Sequence, residues 1–151
     1  MTIEQPGGAG DPDYRFNVSS MGPAKRTMER LGMLSSEEPP PWPEFADFEV
    51  VSADFVTASR GEESESMRAF HAAGRAVVDW QAEQPTGIPG YKIGGGNDGW
   101  LVTPAEIRAA LAALEAQPES VKAEAVSQYP RWEEWIDYLQ RAATHGGFRV
   151  E

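Results

Sequence analysis

His71 and His145 are the only imidazoles in this 151-residue chain, and no cysteine accompanies them. Either could serve as a general base, but a base needs a nucleophile and an orienting acid within reach. The candidates for His145 are Asp98, in the run Asn97-Asp98-Gly99-Trp100, and Tyr91 just before it. His145, Asp98 and Tyr91 therefore form the catalytic set of one reading: a small enzyme or ligand-binding protein with its site near the 94–100 glycine-rich loop. The competing reading of His145 is structural. It precedes Gly146-Gly147, and an imidazolium in the last turn of a helix complements the helix dipole. His71, beside Phe70, reads as an ordinary helix-surface residue. Neither histidine has the i,i+4 partner of a metal-binding helix, and without cysteine there is no zinc set. No metal and no cofactor are expected.

Gly94, Gly96 and Gly99 satisfy a G-x-G-x-x-G spacing. A dinucleotide site requires a helix to follow at once, so that its N-terminus meets the pyrophosphate. Trp100-Leu101-Val102 follows instead and reads as a strand. A phosphate-covering kinase loop would need companion motifs that the chain lacks. One imperfect Gly-Gly-Asn-Asp copy cannot build a stacked calcium-binding roll. A turn between strands is the expectation for these glycines. Glu62-Glu63 and Glu133-Glu134 are neighbours in sequence, and on a helix such neighbours diverge by about 100°. They solvate a surface rather than form an acid/base dyad. No G-x-S-x-G elbow is present.

Charge is the more informative chemistry. Residues 37–65 hold nine acids against Arg60 alone, a net of −8 within a total of −11. Such a field repels nucleic acid and anionic membrane and draws cationic protein surfaces. The leading expectation is a non-catalytic acidic protein-binding module, of the inhibitor or immunity type, that engages a basic protein surface. Its partner-binding residues are Asp47, Glu49, Asp54, Glu62, Glu63 and Glu65. A nucleic-acid mimic is a third reading, weakened because Pro39–Pro43 breaks any regular spacing of carboxylates. Direct nucleic-acid binding and membrane binding are not expected. Acidity with only three lysines also suits salt adaptation. The N-terminus carries no basic and apolar leader pattern, so a cytoplasmic location is expected.

These residues must be positioned by elements with uneven signals. Residues 1–13 are rich in Gly, Pro and Asp and read as a flexible tail. Tyr14–Val18 alternates as a short strand. Gly22-Pro23 opens a helix that Gly32 ends, with Lys25, Arg26 and Arg30 on its polar face. Those three cations are expected to form intramolecular salt bridges. Pro39–Pro43 is an extended connector pinned by Trp42, and the aromatic stretch from Phe45 to Val56 predicts a strand near 47–51. Ser64–Glu83 has helical spacing. Tyr91–Ile93 and Trp100–Val102 flank the glycine loop as a β-hairpin.

Thr103-Pro104 with Glu106 three residues after the cap, and Val102 and Ile107 as staple, specifies a helix start. That helix ends at Gln117-Pro118. A short helix over 118–128 and a Trp132/Trp135/Ile136/Leu139 stripe starting at Pro130 follow, with Gly146 as terminator and a strand at 148–150. The sum is an α+β fold, one domain over 14–151, with four or five helices on a small, mostly antiparallel sheet. Its expected core holds Phe16, Phe48, Phe70, Val77, Trp100, Leu101, Ile107, Leu111, Leu114, Trp135 and Leu139.

Overall fold

The strongest local signal sets the frame. Thr103 accepts the Glu106 N–H at 3.3 Å through its hydroxyl, and the Thr103 N–H donates to Glu106 Oε2 at 2.8 Å. This reciprocal box starts α4 (Pro104–Glu115), and the staple residues Val102 and Ile107 are both buried. In this computed structural model the described residues are 1–4, 10–16, 18–94, 96 and 98–150, with only the backbone of Val18 and Ser19. The stretch 14–151, expected as one domain, divides its contacts between two compact units: Met1–Glu38 with Gln81–Glu151, and Pro39–Trp80.

The larger unit contains β1 (Thr2–Ile3), α1 (Val18–Arg30), β2 (Leu34–Ser35), β3 (Ile88–Pro89) and β4 (Leu101–Val102). After α4 come α5 (Glu119–Val126), α6 (Trp132–Thr144) and β5 (Phe148–Arg149). The strand order β1-β5-β4 is antiparallel throughout, with Ile3 and Val102 both opposite Phe148. A separate parallel pair joins Leu34 to Ile88 and Ser35 to Pro89. Helix α6 packs along α4 and carries Trp135, Tyr138 and Leu139 into a core shared with Ile3, Met28, Leu31, Met33 and Phe148. Tyr14 packs on Trp135 and Tyr138 with ring centroids 5.1 and 5.3 Å away. The Tyr14 and Tyr129 hydroxyls share a buried hydrogen bond of 2.9 Å.

Glycines end the two flanking helices of this unit. Gly32 takes φ +68, and the N–H groups of Gly32 and Met33 return to the carbonyls of Glu29 and Met28, which satisfies two of the last-turn acceptors. Gly146 at φ +93 does the same after α6, with the Gly147 N–H bonded to the Ala142 carbonyl.

The smaller unit has a 3-10 helix over Phe45–Phe48, α2 (Ser52–Ala58) and α3 (Glu65–Val78). Ser64 caps α3 by accepting the Met67 N–H at 3.2 Å. Phe70 of α3 stacks on Phe45 at 4.4 Å and meets Phe48 edge-on at 6.0 Å. Trp42 lies beside α3, where a Cβ on Gly74 would come within 3.7 Å of its ring, and it stays half exposed.

The fold is α+β, with corrections. There are six α-helices among the described residues, not four or five. Thr2–Ile3 belongs to the sheet and Ile3 is buried, so the expected tail over 1–13 does not hold there; residues 5–9 lie outside the described residues. Tyr14–Phe16 forms no strand, although Asp13 bridges Thr2, and Asn17 lies outside the described residues. Helix α1 starts before Gly22-Pro23 and keeps Pro23 inside it. The 47–51 strand is replaced by the 3-10 helix and α2: Asp47 Oδ2 accepts the Glu44 N–H at 3.3 Å and Asp54 Oδ2 the Val51 N–H at 2.8 Å. Two acid caps thus override the β preference of the aromatics.

Helix α3 stops at Val78, short of Glu83. The hairpin is also replaced. Tyr91–Ile93 turns, and β4 pairs with β5 instead. Of the expected core, Val77, Trp100, Ile107, Trp135 and Leu139 are buried, while Phe16, Phe48, Phe70, Leu101, Leu111 and Leu114 are only partly covered.

Candidate functional site

The acids expected to bind a partner all fall in the Pro39–Trp80 unit, which carries eight acids against Arg60, Arg68 and Arg75 and so a net of −5. Asp47 and Asp54 are partly occupied as caps. The Val51 N–H and then the Ser64 hydroxyl hold the Asp54 carboxyl below the usual carboxylate range, because both bond the charged form. Glu63 pairs with His71 on α3. Glu62 and Glu65 are exposed, the latter in the first turn of α3. Glu49 is unusual. It sits at φ 56, ψ 28 at the end of the 3-10 helix, the one described non-glycine residue with positive φ.

Exposed apolar side chains lie among these acids. Trp42, Phe45, Val51, Phe55 and Val56 are each about half exposed, from 45% for Phe45 to 58% for Val51. Single exposed apolar residues need no explanation, but two of these touch each other, Phe45 and Phe55 meeting edge-on with ring centroids 5.3 Å apart. The sequence pattern concealed this exposure, because an aromatic-rich run ordinarily signals a core strand.

The alternative set is not assembled by any described contact. His145 Nδ1 lies 2.9 Å from the Arg141 carbonyl and 2.8 Å from Thr144 Oγ1, both in the last turn of α6. Tyr91 packs edge-on against Trp100 at 4.8 Å, its hydroxyl buried without a hydrogen-bond partner, and burial pushes its pKa up to about 12. Asp98 is exposed and folds back on Gly96, where a Cβ would collide with its carboxylate. No hydrogen bond joins His145, Asp98 and Tyr91 among the described residues, and Gly95 and Asn97 of the loop lie outside them. No group of three or more acids and histidines that could hold a metal ion occurs among the described residues. No helix there is long and apolar enough to cross a membrane.

What the sequence did not reveal is a fully buried ion pair. Lys92 Nζ lies 2.8 Å from Glu106 Oε1 and donates to the Leu101 carbonyl at 2.7 Å, and both side chains have no solvent exposure. Burial raises the Glu106 pKa, against the opposing pull of the ammonium and the Thr103 N–H. Charged side chains are almost never fully buried unless paired. The helix-cap spacing identified Glu106, but its second oxygen gave no hint of a lysine fourteen positions upstream. The pair ties the turn at Tyr91–Ile93 to β4 and the start of α4, a structural task.

Of the expected cation cluster, Arg30 pairs with Glu124 at 2.5 Å, whereas Lys25 donates to the Gly90 carbonyl at 3.0 Å. The chain matches no protein-family model, and no curated protein or solved structure matches it.

Proposed function

We propose that the protein is a non-catalytic acidic binding module, of the inhibitor or immunity type, and that the Pro39–Trp80 unit receives a basic protein surface. The observation that carries this reading is the five half-exposed apolar side chains set among carboxylates in that unit. Apolar anchors supply affinity through burial, while the surrounding charge steers and selects a cationic partner. Neither alone would be persuasive. An acidic surface without anchors describes a salt-adapted protein, and anchors without charge would self-associate.

Glu49 adds support. A left-handed backbone costs an L-residue roughly 1–2 kcal/mol, and glycine would relieve it, yet a carboxylate occupies the position. Strain retained at an exposed charged residue points to a role outside folding.

The test is comparative capture from the native host. Wild type is set beside a variant carrying Glu49→Lys, Glu62→Lys, Glu65→Lys and Phe55→Ser, at low and at high salt. The screening length falls from about 10 Å at 0.1 M to about 3 Å at 1 M, so a cationic protein should be retained by wild type at low salt and released at high salt. The variant should not retain it. A captured protein held equally by both, or no salt-sensitive cationic protein at all, overturns the reading.

A further inference from the structure

A second surface lies in the other unit. Helix α6 and the pair α4–α5 leave a groove of about 390 Å³ between them. Of its lining residues, Leu114, Val126, Trp132 and Ile136 are buried or half-buried and make the floor, whereas Glu115, Glu133 and Asp137 are exposed and make the rim. The α6 residues run from Trp132 to Gln140, about 12 Å along the helix, or a little over two turns. From α5 come Lys122 and Val126, one turn apart. The groove is therefore a trough parallel to a helix, not a hole. Small-molecule sites need convergent polar groups inside to fix orientation. Here the polar groups stand at the edge.

The rim selects the occupant by charge. Lys122, its one cation, is engaged with Glu119 at 2.6 Å, and Asp137 with Arg141 at 3.0 Å. Glu115 and Glu133 form no ion pair among the described residues, and both are exposed. A second copy of this chain, at net −11, brings like charge to that rim.

We infer that the α4–α5–α6 groove docks a cationic amphipathic helix of a partner protein. The helix lays its apolar stripe on Val126, Trp132 and Ile136, and its flanking Lys or Arg residues meet Glu115 and Glu133. This is the helix-in-groove mode, read as anchors at i, i+3, i+4 and i+7. It belongs to a different unit from the surface proposed above and does not depend on it.

The probe is a fluorescein-labelled 18-residue Leu/Lys amphipathic helical peptide, with a Leu/Glu peptide of the same apolar pattern as its control. Anisotropy titration should give saturable binding of the cationic peptide and none of the acidic one. Glu115→Lys/Glu133→Lys should weaken binding about tenfold, since two attractive rim pairs become repulsive. Both side chains are exposed and unpaired, so far-UV circular dichroism should not change. The four-residue variant of the Pro39–Trp80 unit should bind the peptide as wild type does. Absence of saturable binding overturns the inference, as does equal binding of the Leu/Glu peptide. Loss in the Pro39–Trp80 variant with retention in Glu115→Lys/Glu133→Lys also overturns it, and places the peptide on the other surface.

Discussion

Replacing Lys92 with methionine keeps most of the apolar stem, one atom shorter, and removes the charge together with the N–H that the Leu101 carbonyl accepts. Glu106 then lies fully buried with the Thr103 N–H still bonded to one oxygen and no cation on the other. Removing one member of a buried pair costs about 3–5 kcal/mol, mostly the penalty of the stranded charge. Against a total stability of about 5–15 kcal/mol, that is a large share, and it corresponds to a fall of about 6–20 °C in Tm for a chain of this size.

The loss must depend on pH in one direction. Burial already raises the Glu106 pKa above the ordinary glutamate range, and loss of the ammonium raises it further. A carboxyl whose folded pKa exceeds its unfolded one keeps its proton in the fold where the unfolded chain has released it. Stability is then full below the unfolded value and falls as pH rises through the folded one. Lys92→Met should therefore lie closer to wild type at pH 5 than at pH 7.5, and Lys92→Met/Glu106→Gln should recover most of the loss at pH 7.5. Urea denaturation followed by circular dichroism and tryptophan emission at both pH values gives the comparison. A single variant within 1 kcal/mol of wild type at pH 7.5, or a loss equal at both pH values, refutes the reasoning.

Two further substitutions test the packing with opposite signs. Tyr138 is fully buried, and its hydroxyl has no hydrogen-bond partner, so Tyr138→Phe removes an uncompensated polar group and should stabilise by about 1 kcal/mol, read as a higher urea midpoint. Gly147 holds φ +87, and a Cβ there would collide with the Val102 carbonyl beside the β4–β5 pairing. Gly147→Ala should destabilise by about 2 kcal/mol or more. A neutral result in thermal unfolding would contradict that geometry.

What could be read from the sequence was local. The Thr103/Glu106 box and the stops at Gly32 and Gly146 each involve residues within a few positions of one another, and the structure has all three. Pairing over distance was not legible. Each strand is two residues long, too short for a period of two to announce it, and nothing in Leu101-Val102 says that its partner is Phe148-Arg149 rather than Tyr91–Ile93. The stretch 45–56 misled for a different reason. Its aromatics fit a strand by preference, but Asp47 and Asp54, each accepting an N–H three residues back, turn it into short helices that leave Phe45 and Phe55 half exposed. The acidic candidate residues were visible as charge, while the exposure of the apolar side chains among them was hidden by their β preference. The Lys92–Glu106 pair needed the fold to bring its halves together.

The order β1-β5-β4 has a consequence for biosynthesis. The central strand of this sheet is the last of the three to leave the ribosome, and both neighbours bond to it rather than to each other. While β5 is still in the exit tunnel, Ile3 and Val102 have no strand to pair with, and the apolar face of α6 lacks Phe148. Closure of that sheet must therefore wait for β5 and joins residues far apart in the described chain, and such distant pairing is slow. Until then, the apolar groups of β1 and β4 stand open to other chains. The strong negative charge of the nascent polypeptide would keep such chains apart during the wait.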